Sequence, residues 1–170
     1  MKTIFLLLAP LALSFAQSPN NAGNQHLIKE VRHELVTLPY VSIFDNLEFR
    51  IDGNNVTLSG QVTQPKIKSD AENVVKHVEG VGQVTNEIEV LPLSPADDTI
   101  RRATYAALVR QPALQLYFMQ SMPPIRIIVK NGHVTLEGVV ANKSESDIAK
   151  IQANSVPGVF SVTDNLRVEK

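Results

Sequence analysis

The segment GVGQVTNEIEV (residues 80–90) is nearly repeated by GVFSVTDNLRV (residues 158–168). Each segment opens with Gly-Val, continues with Val-Thr four residues later, and then alternates apolar and polar residues as strands do. A chain of 170 residues that spells the same ending twice is expected to contain two copies of one small unit.

The first copy begins with a helix and a β-hairpin. Apolar residues recur at helical spacing from Leu27 to Leu38. Residues 47–51 and 56–62 then alternate as two strands on either side of Asp52-Gly53, a turn signal in which glycine tolerates a positive φ. The pattern predicts a hairpin with one face in contact with water.

A second helix and a closing strand complete the first copy. Residues 65–78 carry an apolar stripe against charged positions, and Gly80 is predicted to be the C-cap of this helix. The unit is therefore α-β-β-α-β. We predict an α+β fold of two tandem units, each a small three-stranded sheet with two helices packed on one face.

The second copy follows the first with a constant offset of 78 residues from the hairpin onward. Its hairpin turn is Asn131-Gly132, the strongest short signal for such a turn. Before the hairpin the offset falls to 73, so the second copy carries five extra residues within 113–124.

Four glycines are shared by the copies and are predicted to be structural. Gly80 and its counterpart Gly158 are expected to be helix C-caps with positive φ. Gly60 and its counterpart Gly138 are expected at inward strand positions under a helix, where a side chain would overpack the core.

The remaining segments set the expected boundaries. Residues 1–16 carry a lysine, an apolar run too short to span a membrane and a small-x-small site, which predicts a signal peptide cleaved after Ala16. We expect a flexible leader at 17–25, the first domain at 26–92, a linker at 93–96 and the second domain at 97–170. Asp97 or Asp98 is expected to cap the first helix of the second copy.

Charge and composition exclude several classes of function. Without Lys2 the chain has 15 basic groups against 17 acidic ones, whereas nucleic-acid binding draws on a basic surface. The absence of cysteine excludes a disulfide framework, thiol catalysis and thiolate metal sites. The basic and acidic residues number 6 and 10 over 26–92 but 9 and 7 over 97–170, so the copies differ in sign.

The repeated motifs resemble the BON-domain family. The resemblance rests on VTLSG (residues 56–60) with GVGQVTN (80–86), and on VTLEG (134–138) with GVFSVTD (158–164). It implies an exported protein with two tandem BON domains, similar to osmotically inducible periplasmic proteins. The family is proposed to bind phospholipid or membranes, and its two-domain periplasmic members are linked to envelope stress and chaperone-like roles.

No arrangement of residues predicts catalysis. His26 and His33 are seven residues apart rather than the four of a helical metal pair, and no nucleophile elbow or phosphate-binding loop is present. We therefore predict a non-enzymatic protein without metal, cofactor or small-molecule substrate.

Binding is expected between the first helix and the hairpin of each copy, where the repeat is least conserved between the copies. The candidate binding residues are aromatic, aliphatic or methionine side chains. They are Tyr40, Phe44, Leu116, Tyr117, Phe118 and Met119. In the second copy two alternatives stay open: an extra helical turn buried between the domains, or an exposed patch.

These residues lead to two hypotheses for the function. The first is a periplasmic cell-envelope module that contacts phospholipid or membrane surfaces. The second is a stress-related chaperone-like protein that binds apolar segments of client proteins. The natural ligand and the oligomeric state stay open. If residues 113–124 form a free binding patch, Tyr117→Ser with Phe118→Ser is expected to weaken binding and leave the fold cooperative; if they are core, the variant should unfold.

Overall fold

Two units of similar architecture follow one another in the computed structural model, which describes residues 20–169. The expected signal peptide lies outside the described residues. The elements of the first unit are α1 (Asn20–Val36), β1 (Asn46–Asp52), β2 (Asn55–Val62), α2 (Pro65–Lys76), β3 (Val84–Asn86) and β4 (Glu89–Val90). Those of the second are α3 (Pro95–Val109), α4 (Pro112–Phe118), β5 (Ile125–Lys130), β6 (His133–Val140), α5 (Lys143–Asn154) and β7 (Ser161–Val168). The α+β fold of two tandem units is confirmed. The expected order α-β-β-α-β is extended by β4 in the first unit and by α4 in the second, so the first sheet has four strands rather than the expected three.

Each unit has a mixed sheet with the second hairpin strand at its centre. β2 pairs antiparallel with β1 and parallel with β3 and β4, while β6 pairs antiparallel with β5 and parallel with β7. The closing strand is parallel because a helix returns the chain to the same end of the sheet. In the first unit the closing strand is interrupted between Asn86 and Glu89 but keeps one register along β2.

The apolar stripes of the helices and the inward faces of the strands form one core in each unit. In the first, Val31, Leu58 and Val75 from α1, β2 and α2 are fully buried. In the second, Leu108, Leu136 and Ala153 occupy the same layers of α3, β6 and α5. The alternation of β2 and β6, with buried residues at every second position of VTL, is the pattern expected of strands with one wet face.

The hairpin turn of the second unit lies where it was predicted, whereas in the first unit Asp52 pairs with Asn55, so the turn residues are Gly53 and Asn54 rather than Asp52-Gly53. In the second unit Asn131 and Gly132 have φ of 52° and 78°, the two positive values that a type I′ turn requires. The same backbone amides of Asn131 and Gly132 donate to the buried carboxylate of Asp97, at 2.9 and 2.8 Å. Asp97 therefore fixes the hairpin tip against the start of α3.

Gly80 and Gly158 do have positive φ, of 90° and 89°, but they are not helix caps. The C-caps are His77 and Ser155. Each glycine is the third residue of the turn that follows, closed by Val81 N donating to Val78 O and by Val159 N donating to Val156 O, both at 3.2 Å. A hydrogen bond of this kind with a positive φ at the third position is the pattern of a type II turn.

Gly60 and Gly138 are constrained by backbone rather than by a helix above the sheet, which corrects the predicted reason. Their φ values are 107° and 126°. A Cβ on Gly60 would lie 2.1 Å from the carbonyl oxygen of Asn46, and one on Gly138 would lie 1.8 Å from that of Pro124. The start of the neighbouring strand therefore occupies the space that a side chain needs.

Two expected boundaries change. α1 begins at Asn20, so the flexible leader expected at 17–25 does not extend over residues 20–25. α3 begins at Pro95, within the expected linker, and its N-cap is Ser94, whose hydroxyl accepts from Asp97 N at 3.1 Å. Asp97 and Asp98 lie in the first turn of α3 instead of capping it.

The third position of the shared Val-Thr-Asn/Asp motif ties the closing strand to the helix. Asn86 donates to Lys68 O at 3.0 Å and to Glu72 Oε2 at 2.9 Å on α2. Its counterpart Asp164 accepts from Ser146 Oγ on α5 at 2.6 Å. The motif is therefore explained by packing between helix and sheet.

Candidate functional site

The five extra residues of the second copy are accommodated by α4, a short helix with two different faces. Leu114 is fully buried, and Tyr117 and Phe118 are partly buried against the second core. Leu116 and Met119, by contrast, are 73% and 74% exposed. One side of the segment is thus buried, within the second domain rather than between the domains, and the other side is exposed. We call Leu116 and Met119 the α4 ridge.

The buried side of α4 is held by a specific hydrogen-bond network. The hydroxyl of Tyr117 donates to Glu145 Oε2 and accepts from Ala141 N at 2.7 Å. Glu145 lies in the first turn of α5, and its backbone N–H donates to the N-cap Asn142 at 3.0 Å. Burial, together with the hydrogen bond to Glu145, raises the pKa of Tyr117 above its usual range. The helix is thus anchored to the start of α5.

Phe118 fixes the other side of α4 to α3. Its ring lies edge-on to that of Tyr105, with the centroids 5.6 Å apart and the planes at 80°. This is a favourable geometry for two aromatic rings because the positive edge of one faces the negative face of the other. Because Tyr117 and Phe118 hold α4, the ridge is presented on a rigid support.

The connector of the first copy, residues 39–45, has a different position. The carbonyl oxygen of Ile43 accepts from Ile127 N on β5 at 2.8 Å, and that of Ser42 accepts from Arg126 Nη1 at 3.1 Å. Ile43 and Phe44 pack against the core of the second domain. Phe44, a candidate binding residue, is therefore part of the junction between the domains.

Asp45 shapes this connector. It is 1% exposed, and both of its carboxylate oxygens are used. One accepts from Ser42 N and Oγ at 2.8 and 2.7 Å, and the other accepts from Thr63 N and Oγ1 at 2.6 and 2.8 Å. Four hydrogen bonds compensate the cost of burying the charge, so residues 42–45 form an ordered loop that projects toward β5.

The outer face of β5 is the other side of the junction. Side chains alternate along a strand, so Arg126, Ile128 and Lys130 share one face. Arg126 bonds to Ser42, and Lys130 forms an ion pair with Glu89 of β4. Ile128 lies between them and is only 5% exposed. The first domain therefore covers this face of the second.

Tyr40 completes the set of expected binding residues. Tyr40 is 67% exposed, with a left-handed φ of 70° that bulky side chains seldom adopt. Lys130 and Arg126 belong to the junction, whereas Arg110 at the end of α3 is exposed. Two further exposed apolar residues, Leu93 and Phe160, were not predicted, because neither lies in a connector between a first helix and a hairpin.

The buried charged residues of the second domain and two of the histidines contact other groups of the fold. Buried Arg101 donates to Val129 O at 2.7 Å, so it is bound to the second sheet, as Asp97 is to the hairpin tip. His77 and His133 are exposed and contact Asn73 O and Ser161 Oγ, respectively. Among residues 20–169 no group of three or more potential metal ligands lies together. Over the same residues no helix is long and apolar enough to cross a membrane.

Comparisons with known proteins give two kinds of result. Among solved structures, the chain is similar to the C-terminal domain of CdsD, a structural protein of the type III secretion system of Chlamydia trachomatis. The identity is 12% and the TM-score 0.30, with 85% of this chain and 98% of that one covered. A second CdsD structure gives 12% identity and a TM-score of 0.31, with 85% and 94% covered. No curated protein sequence matches the chain significantly.

The family comparison is specific and covers both units. The model of the BON domain matches residues 24–92 and again residues 96–170. BON domains are associated with membrane and phospholipid binding, are generally non-catalytic, and are typical of periplasmic and envelope proteins. On these two matches, the chain belongs to the BON domain family and carries two tandem BON domains.

Proposed function

We propose that this protein is an exported, non-enzymatic envelope module that contacts phospholipid membranes through the α4 ridge. The observation that carries the proposal is the exposure of Leu116 and Met119, at 73% and 74%, on a helix whose other large apolar side chains, Leu114, Tyr117 and Phe118, are packed. A rigidly mounted pair of exposed apolar side chains on an inserted helix is a feature of interaction surfaces.

The energetics favour insertion into the outer part of a bilayer. Full burial of a leucine or methionine side chain contributes roughly 1.5–3 kcal/mol, so the two ridge residues together supply several kcal/mol. Arg110 is exposed at the C-terminal end of α3, directly before α4. A cation near an anionic membrane surface adds about 1 kcal/mol. We therefore expect weak, reversible binding that is stronger on anionic vesicles.

We propose that the protein acts in the periplasm. Residues 1–16 have the composition of a signal peptide with cleavage after Ala16, and BON proteins are typical of the envelope. An exported module of this kind would meet the membrane from the aqueous side, and a small apolar ridge suits such contact.

A second candidate function has its own support in Met119. Methionine is flexible and adapts to irregular apolar partners. An exposed methionine next to Leu116 therefore also suits transient binding of apolar segments of client proteins. The two functions use the same ridge and differ in the partner.

The test is co-sedimentation with phosphatidylglycerol-containing vesicles, comparing the wild type with Leu116→Ser/Met119→Ser. We expect the double variant to bind at least tenfold more weakly, since each 1.4 kcal/mol lost is tenfold. Ile151→Ser is the matched control, because Ile151 is 63% exposed on α5 and lies outside the ridge. Both variants should keep the melting temperature of the wild type.

The outcome separates the two functions. A wild type that stays in the supernatant, or a ridge variant that binds like Ile151→Ser, contradicts the membrane proposal. If the wild type ignores vesicles but suppresses aggregation of a denatured client protein, and the ridge variant does not, the chaperone-like function is supported instead.

A further inference from the structure

A cleft of about 430 Å³ lies where the first connector meets the second domain. One wall is formed by residues 41–44 of the first domain. The other is formed by Arg102 and Tyr105 of α3, by the loop at residues 121–123, and by Arg126 of β5. We call it the junction cleft. It exists only because the two BON domains are docked.

The polar part of the junction cleft is positive. Arg102 and Arg126 line it, and no carboxylate does. Over residues 25–169 neither arginine forms an ion pair. The charge of Asp45 acts on Arg126, but the two carboxylate oxygens of Asp45 are already occupied by Ser42 and Thr63. The cleft therefore presents guanidinium groups whose charge is not neutralised by a paired acid.

Arg126 is suited to hold an anion because it is partly desolvated. Burial lowers its pKa from the usual value, so its environment disfavours the charged form. Its single hydrogen bond among the described residues goes from Nη1 to Ser42 O at 3.1 Å, although a guanidinium has five N–H donors. An oxyanion in the cleft would offset this cost with charge-assisted hydrogen bonds.

The remaining walls of the cleft are apolar. Ile43 and Phe44 contribute aliphatic and aromatic surface from the connector, while Tyr105 and Met122 are 38% and 41% exposed on the opposite side. Arg102 and Tyr105 are three residues apart on α3 and therefore share a helix face. Positive and apolar groups thus lie side by side in one cleft.

We propose that the junction cleft binds a single-chain amphiphile, with its anionic head, a phosphate or a carboxylate, on Arg102 and Arg126 and its chain against Phe44 and Met122. The site is separate from the α4 ridge. It rests on the proposed membrane function only in that an envelope supplies such molecules.

The experiment is a calorimetric titration of the full mature chain with monomeric dodecyl phosphate below its micelle concentration. We expect dodecyl phosphate to bind saturably, and inorganic phosphate and neutral dodecyl maltoside to bind more weakly. Dodecanoate should bind with similar affinity if the cleft recognises the head group only as an oxyanion. Arg102→Ala should weaken dodecyl phosphate binding roughly tenfold, because it removes one charge-assisted contact. If dodecanoate does not bind, the head group that the cleft accepts is a phosphate.

The control variant is Arg50→Ala, which removes an exposed arginine of β1 that does not line the cleft. It should leave dodecyl phosphate binding within about twofold, and equal loss in both variants would overturn the proposal. So would the absence of saturable binding, or equal binding of inorganic phosphate or dodecyl maltoside. Amide shifts of the wild type with dodecyl phosphate should concentrate at residues 41–44 and 121–123, which tests the site without any substitution.

The ridge variant separates this proposal from the proposed function. Leu116→Ser/Met119→Ser should lose vesicle binding and keep its affinity for monomeric dodecyl phosphate. A wild type that binds dodecyl phosphate but not vesicles supports the cleft and contradicts the ridge, and the opposite result contradicts the cleft alone.

Discussion

The connector between the first helix and the hairpin differs more between the two BON domains than any other part of the repeat. In the first domain it is the loop at residues 39–45, whose apolar side chains Ile43 and Phe44 pack on the neighbouring domain. In the second it contains α4, whose ridge points outward. The same position in the repeat therefore serves an internal contact in one copy and an exposed surface in the other.

The edge strands β5 and β1 also differ in whether their outward residues are covered by another domain. On β5 the outward residues Arg126, Ile128 and Lys130 meet the first domain. The residues at the same positions of β1 are Glu48, Arg50 and Asp52, which are all exposed. Alternating charges on an edge strand oppose pairing with another chain. The first connector therefore docks on the second sheet, whereas the corresponding face of the first sheet is exposed.

The largest expected effect on stability concerns the strand glycines that the two copies share. Gly138→Ala should lower the free energy of unfolding by about 3 kcal/mol or more, because the new Cβ meets Pro124 O while the residue keeps a positive φ. Gly60→Ala should cost about as much, since Asn46 O lies in the same place. Urea unfolding measures both.

The control for this pair is Gly53→Ala. Gly53 has a φ of 59° but nothing within 4 Å of its added Cβ, so only the conformational cost of about 1 kcal/mol applies. If all three substitutions cost the same, the close approach of the neighbouring strand is not what constrains Gly60 and Gly138.

The second effect tests the difference between the connectors. Phe44→Ala should lower the free energy of unfolding by about 2 kcal/mol, because it removes a partly buried ring from the junction. Met122→Ala, in the longer connector of the second copy, should cost less than about 0.5 kcal/mol, since Met122 is 41% exposed. Hydrogen exchange at Ile127 N, which donates to Ile43 O, should quicken only in Phe44→Ala. Equal effects of the two variants would show that the connectors do not differ in this way.

The smallest effect concerns the anchor of α4. Tyr117→Phe should lower the free energy of unfolding by about 1 kcal/mol at neutral pH, because the bonds to Glu145 and Ala141 are lost. The pKa of Tyr117 is raised by burial and by Glu145, so its contribution is complete below the unfolded value of 10.0 and is lost as the pH rises through the folded pKa. The difference between wild type and variant should therefore narrow above about pH 10.

Tyr105→Phe is the matched control for this pH dependence. Its hydroxyl forms no hydrogen bond with any described side chain or backbone group, and its ring contact with Phe118 is kept. It should have little effect at neutral pH. A difference for Tyr117→Phe that instead narrows as the pH falls from neutral would contradict the assigned hydrogen bonds.

The local elements could be predicted because their signals are local. Periodicity gave the helices and strands, and Asn131-Gly132 fixed its hairpin, since these residues restrict the backbone wherever they occur. The reason for Gly60 and Gly138 was not predicted, because the carbonyl that limits each glycine belongs to another strand. A single strand's alternation contains no information on how closely its neighbour approaches.

The site could be predicted only in part for a similar reason. The run from Leu114 to Met119 is apolar on almost every side, so periodicity does not divide it into a buried and an exposed face. The division follows from Glu145 and Tyr105, which receive Tyr117 and Phe118. The junction cleft had no signal at all, because its two arginines come from different elements and its opposite wall from another domain.

The bond from Ile127 to Ile43 also has a consequence for the order of folding. Synthesis delivers residues 39–45 before β5 exists, so the loop held by Asp45 can be complete when the second sheet begins to form. The free edge of β5 then has a partner within its own chain as soon as it appears. We expect the first domain to shield the second from intermolecular strand pairing during its maturation.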